Sequence, residues 1–252
     1  MTGHRNMAKM LVSSLLRTGF EGDIVVFHNS PHPLFMVPRE GVQEVILRAK
    51  KEPKTHDEFV GFAQSCKHTV ARHLQPDGYD KVIFLDCDCL ALRPINHLLE
   101  GDWSMAVTTE CGTRIQNGPY GGYLTATEHG LLRREGMNSG TWAVSAPMLK
   151  KFLRQWRAAE KPEPAFECLR EQSAFNRVVI DWPGSVHLWP QEEISLPLCY
   201  GNRTCFRDFS TSAIVHAAGG AGPVQKLPFL YGLFCGQFLC DDKLTMFNIM
   251  EM

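Results

Sequence analysis

Apolar positions in residues 5–18 (RNMAKMLVSSLLRT) fall at Met7, Met10, Leu11 and Leu15, with Ser14 on the same face. That spacing predicts a helix, and Gly19 is its natural stop. Asp23–Phe27 (DIVVF) and Val42–Leu47 (VQEVIL) have the length of short strands, and the proline-punctuated NSPHPLFMVP between them is a loop. Thr55 or Asp57 caps a predicted helix running to about Leu74, which the turn Pro76-Asp77-Gly78 closes. Lys81–Leu85 (KVIFL) is an unbroken apolar run, the pattern of a strand buried on both faces. Strands follow at Ser104–Thr108 and Thr141–Ser145, separated by CGTRIQNGPYGGYLTATEHG, which no periodicity claims. A loop of that length inside a compact domain is usually functional or mobile. Helices are predicted over Pro147–Ala159 and Cys168–Val178, and a late strand over Ser212–Val215.

Strands alternating with helices predict an α/β sandwich around a largely parallel sheet. No boundary divides the chain, so a single domain over 1–252 is expected. The length of 252 residues and an apolar content of 44% suit one α/β domain with a sizeable core. The 26 basic and 27 acidic residues nearly cancel, which makes nucleic acid a poor default partner. Nine cysteines without a CxxC pair or zinc-ligand spacing read as reduced thiols of a cytosolic protein. MTGHRNMAKM lacks a signal-peptide core. The apolar segment Leu227–Cys240 is interrupted by Pro228, Gly232, Gly236 and Gln237. It is also shorter than the ~17–25 residues of a spanning helix, so no transmembrane segment is expected. A peripheral membrane-surface role is the alternative, but Asp241 and Asp242 follow where basic anchors are expected, and the segment reads as core packing.

Four clusters carry candidate chemistry. In KVIFLDCDCLAL a strand ends on Asp86 and Asp88, where ligands bind in open α/β sheets. Two close carboxylates repel, and Mg²⁺ or Mn²⁺ relieves that repulsion while keeping sites open for phosphate oxygens. The competing reading has Asp86 capping the next turn and Asp88 solvated. In EGMNSGTWAV, Asn138, Ser139 and Gly140 stand just before a strand, offering amides and a hydroxyl to a polyhydroxyl ligand or simply forming a turn. REQSAFN places Glu171 and Gln172 at one end of a helix with Asn176 on the same side, the alternative being a solvated helix face. In SAIVHAAGGAG, His216 follows a short strand as a third metal ligand or a structural imidazole, and its glycines admit phosphates.

In this order the clusters resemble glycosyltransferase family 8, the retaining enzymes that include glycogenin and bacterial lipopolysaccharide glycosyltransferases, from about residue 5 to residue 226. YDKVIFLDCDCLALRPINHLL resembles the family's strand, D-x-D and following segment; MNSG resembles its N-S-G, EQSAFN its D-Q-x-x-x-N, and IVHAAGG its H-x-x-G. The resemblance implies an A-type glycosyltransferase fold and Mn²⁺ (or Mg²⁺) held by Asp86, Asp88 and His216. The metal would bridge the diphosphate of a nucleotide-sugar donor, commonly a UDP-hexose. It further implies that Lys67 and Ser139 face the donor, that Asn138, Glu171 and Gln172 surround the transferred sugar, and that Gly219 and Lys226 meet the phosphates. The acceptor, a sugar, lipid or protein, is not readable, and the Gly-rich segment Cys111–Gly130 is where it is expected. Three departures stand out. The family's first strand has no counterpart ahead of residue 5, Glu171 replaces an aspartate, and Lys226 comes late and precedes Leu-Pro-Phe rather than Pro-Trp.

Two other functions fit parts of the pattern. A strand ending in D-x-D also resembles haloacid-dehalogenase-like phosphatases, with Asp86 as nucleophile, Asp88 as acid/base, and Asp241 and Asp242 as metal ligands; Cys89-Leu90 then stands where Gly-Thr is usual. A transferase-like binding module without turnover is the second.

Overall fold

The computed structural model describes residues 2–48, 62, 66–68, 70, 73–114, 135–160, 170–197, 209–218 and 223–238. The predicted helix from Thr55 or Asp57, most of the Gly-rich segment, Gly219 and Asp241–Asp242 lie outside them. The fold is mixed α/β, and the chain forms two compact units, each discontinuous in sequence: Met1–Ile46, Leu85–Glu100 and Pro190–Met252; and Leu47–Phe84 with Gly101–Trp189.

The first unit opens with helix α1 (Thr2–Arg17), which ends at Gly19 in the left-handed region (φ 74°) with the Phe20 amide bonded to the Leu15 carbonyl. Strands β1 (Ile24–His28) and β2 (Val42–Ile46) pair in parallel. A second sheet has the order β4 (Cys89–Ala91), β9 (Ile214–His216), β8 (Ile194–Ser195), with β4 and β9 antiparallel and β8 and β9 parallel. Helix α4 (Pro223–Phe238) completes the unit. Met7 and Met10 of α1, Leu90, Leu92, Val215, Ala217, and Leu230 and Phe234 of α4 form one buried cluster. Each of its Met, Leu, Val and Phe side chains contributes about 1.5–3 kcal/mol on burial. Ser14, the polar member of the buried α1 face, bonds the Leu11 carbonyl (2.7 Å) and accepts the Ala91 amide (3.0 Å), so its hydroxyl joins helix to strand.

In the second unit the sheet order is β3 (Lys81–Leu85), β6 (Glu135–Ser145), β5 (Met105–Arg114), β7 (Val186–Trp189). β5 runs antiparallel to β6 and parallel to β7, so the sheets are mixed. Helix α2 (Leu149–Ala159) buries Leu149, Phe152, Leu153 and Trp156, the 3–4 spacing of one helical face. Helix α3 (Arg170–Ile180) adds Phe175 against Phe152 and Trp156.

Several expectations need correction. Lys81–Leu85 is half-buried throughout rather than buried on both faces, and among the described residues β3 lies at the end of its sheet. β6 begins at Glu135, not Thr141, and β5 runs on to Arg114, which takes Cys111–Arg114 out of the loop. Pro228, Gly232 and Gly236 do not interrupt the late apolar segment; α4 runs through them, and Leu230 and Phe234 are buried, the core role expected of it. Packing of that face outweighs the propensity cost of one proline and two glycines.

Candidate functional site

The first constellation is built where β3 ends. Asp86, Cys87 and Asp88 form a turn, closed by the Cys89 amide on the Asp86 carbonyl (3.0 Å), that feeds β4. The antiparallel register sets Cys89 opposite His216, and the Ala217 amide bonds the Asp88 carbonyl (2.9 Å). His216 is thus the last residue of β9 rather than a residue after the strand. Its Nε2 lies 3.2 Å from Asp88 Oδ1, while Lys226 Nζ, in the first turns of α4, donates to Asp88 Oδ2 at 2.6 Å.

Both carboxylate oxygens of Asp88 therefore face a nitrogen, and the group is buried. Burial works against its charged form. The charges and hydrogen bonds of His216 and Lys226 outweigh that penalty and hold Asp88 well below the usual carboxylate range. A carboxylate oxygen of Asp88, Cys89 Sγ and an imidazole nitrogen of His216 all lie within 4.8 Å of one another, a group able to hold a metal ion. Asp86 is half-buried and is not one of the three. Carboxylate and imidazole suit Mn²⁺ better than Mg²⁺, which prefers oxygen, and the thiol adds a soft donor that Zn²⁺ would also accept.

Cys89 joins the group although the D-x-D pattern itself does not include it. The signal was there: a cysteine after the second aspartate, at the start of a strand, shares a sheet face with whatever pairs opposite it.

The second constellation belongs to the other unit. Along β6 the register jumps: Val107 pairs with Trp142 and Thr108 with Asn138, so Ser139, Gly140 and Thr141 form a bulge. The sequence expectation placed Asn138-Ser139-Gly140 before a strand; they lie within one, at its irregularity. Asn138 Oδ1 accepts the Gly140 amide (2.8 Å), which fixes the bulge locally.

Ser139 Oγ donates to Gln172 Oε1 (3.0 Å), and Lys67 Nζ donates to Ser139 Oγ (3.4 Å) and lies 3.3 Å from Glu171 Oε1. Lys67 Nζ also sits over the Phe84 ring at 5.8 Å. Asn138, Ser139, Glu171, Gln172 and Asn176 are all buried. Asn176 grips β6 through the amide and carbonyl of Met137, both at 2.8 Å. The structure thus gathers Lys67, Asn138, Ser139, Glu171 and Gln172 in one cluster, and Asp88, His216 and Lys226 in another. No protein-family model matches the chain, and no curated protein is significantly similar to it.

Proposed function

We propose that this protein is a divalent-metal-dependent glycosyltransferase of the A-type fold. It moves a hexose from a nucleotide-sugar, foremost a UDP-hexose, to an acceptor with retention of configuration. The observation that carries this reading is the buried Asp88–Cys89–His216 group at the end of an apolar strand, with Lys226 on the same carboxylate. Asp88, Cys89 and His216 would hold the cation, with Asp86 in the same turn but outside that group. Bound Mn²⁺ supplies Lewis-acid stabilisation of a departing diphosphate.

Lys226 stands in the first turns of α4, where backbone amides and the helix dipole favour anions, and it pairs with a phosphate once Asp88 has another cation. The second cluster has the buried amides, hydroxyl and carboxylate that read a polyhydroxyl ligand. Gln172 carries an amide whose oxygen is already engaged by Ser139, which makes it a positioning group and a poor nucleophile. Transfer therefore proceeds on one face: the anomeric C–O bond breaks, the acceptor oxygen bonds to the same carbon, and the acceptor's proton passes to the leaving phosphate.

The phosphatase reading needs Asp88 to donate a proton, and the two nitrogens that face its oxygens keep it ionised. The test is a thermal-shift panel of UDP, GDP, CDP and ADP with and without Mn²⁺, on wild type and Asp88→Ala. A ligand at a hundredfold excess over its Kd stabilises by about 2.7 kcal/mol. The expected result is a shift with one nucleotide that requires both Mn²⁺ and Asp88, followed by hydrolysis of the matching sugar donor. A well-folded protein that responds to no nucleotide would leave the binding module as the better description.

A further inference from the structure

The loop joining β1 to β2 has a construction that the transferase reading does not use. Parallel strands need a crossover connection, and here it is made without a helix by residues 29–41. Glu44 of β2 fastens it from beneath: Oε2 accepts the Leu34 amide (2.6 Å) and Oε1 the Phe35 amide (3.1 Å), while His28 Nε2 lies 3.0 Å from Oε2. Leu34 and Phe35 are buried, and the Arg5 guanidinium bonds the Pro33 carbonyl at 2.8 Å. With two residues anchored inward, the next two point out.

Met36 is 87% exposed and Val37 73%, the highest values among the large apolar side chains of the described residues. Single exposed apolar residues are ordinary, but an adjacent pair at the crest of a fastened loop is not. Cations lie on the same loop and on the helix that holds it. Arg39 lies over the Phe35 ring at 4.9 Å, and Arg5 holds the loop's other shoulder. Burial and the neighbouring charges of Arg5 and Arg39 push the Lys9 ammonium below its ordinary value, against the opposing pull of Glu44. Glu40 is the single acidic residue of the loop itself, and Glu44 is occupied beneath it.

We propose that Met36 and Val37, together with Arg39 of the same loop and with Arg5 and Lys9, one turn apart on the helix that holds it, form a docking tip that inserts into an anionic membrane surface. Two apolar side chains provide shallow insertion, and the three cations meet anionic headgroups, the pairing of small apolar area with local positive charge that holds peripheral proteins at an interface. The chain's near-zero net charge makes the attraction local to this patch rather than global.

The experiment is co-sedimentation of the full chain with phosphatidylcholine–phosphatidylserine vesicles and with phosphatidylcholine alone, at low and physiological salt. Wild type is expected to pellet with the anionic vesicles, more at low salt. The double substitution Met36→Ser, Val37→Ser is expected to weaken this by roughly tenfold or more. Lys9→Gln, which breaks no loop fastening, is expected to cost about fivefold, the effect of one charge near the surface. Unchanged unfolding midpoints in these variants separate lost docking from lost folding. Wild type that stays in the supernatant with both vesicles overturns the proposal and returns the patch to a protein partner; equal pelleting of the double variant overturns it as well. Neither outcome bears on the nucleotide panel, so the two readings stand or fall separately.

Discussion

At the scale of single residues, Asp88 decides most of the chemistry in the first unit. Its folded-state carboxyl titrates below the unfolded value of about 3.9, because the gain from His216 and Lys226 exceeds the burial penalty. A depressed carboxylate contributes stability that is present above the unfolded value and is lost as pH falls through the folded one. In metal-free protein, the stability difference between wild type and Asp88→Asn should therefore be full near neutral pH and shrink below about pH 4. Chemical denaturation across that range measures it, and a difference independent of pH would deny the carboxylate its role. Lys226 makes a companion case. Lys226→Met removes one of two partners of a buried carboxylate, a loss that typically costs about 3–5 kcal/mol. Mn²⁺ should then restore more stability to Lys226→Met than it adds to wild type, since it no longer competes with the ammonium. Equal gains in both would mean the cation binds elsewhere.

At the scale of elements, α3 and β6 are held in register by one side chain. Asn176 satisfies both the amide and the carbonyl of Met137 and also bonds the Gln172 carbonyl of its own helix at 2.9 Å. Asn176→Leu strands two buried main-chain groups, at roughly 1–3 kcal/mol each, and urea denaturation should show a loss near the sum. An isosteric change to Asp sets an unpaired buried carboxylate against the Met137 and Gln172 carbonyls, and should cost at least as much as the leucine near neutral pH and less as falling pH lets the carboxyl protonate and donate. These elements also show what a sequence can and cannot disclose. Helical periodicity exposed α1, α2 and α3 because one face of each is apolar at 3–4 spacing. The bulge at Ser139–Thr141 was hidden because its irregularity lies in the pairing with Val107 and Thr108, a long-range fact. β4 is three residues long, too short for any alternation to register, yet it carries Cys89 opposite His216. In α4, Lys226, Leu230 and Phe234 stand four residues apart, so the face that packs on the core also delivers the ammonium to Asp88. Pro228, Gly232 and Gly236 masked that helix, since local propensity cannot see the buried cluster that pays for it.

At the scale of the whole molecule, the chain visits its two units alternately, so nearness along the sequence says little about which core a residue joins. The mixed sheets follow from the same feature. Alternating strands and helices suggested parallel crossovers, but β5 and β6, whose intervening sequence shows no helical periodicity, pair antiparallel. What was legible of the site was its residue types: Asp88 and His216 do meet although 128 positions separate them (216 − 88), and Gln172 meets Ser139. Which unit each pair belongs to was not, because it depends on β4 pairing with β9. That pairing yields a prediction for the molecule entire. Asp88 and Cys89 come from one segment of the first unit and His216 and Lys226 from another, and a cation bound by native Asp88, Cys89 and His216 stabilises only states in which β4 and β9 are together. Hydrogen exchange with Mn²⁺ alone, without nucleotide, should therefore slow the amides of Cys89–Ala91 and Ile214–Ala217, with a smaller effect in α4 as Lys226 is displaced. Amides of β5 and α2, whose core is separate, should keep their local opening rates. A uniform slowing of both units would show that they open as one cooperative body, and no slowing of β4 and β9 would remove the cation from this site.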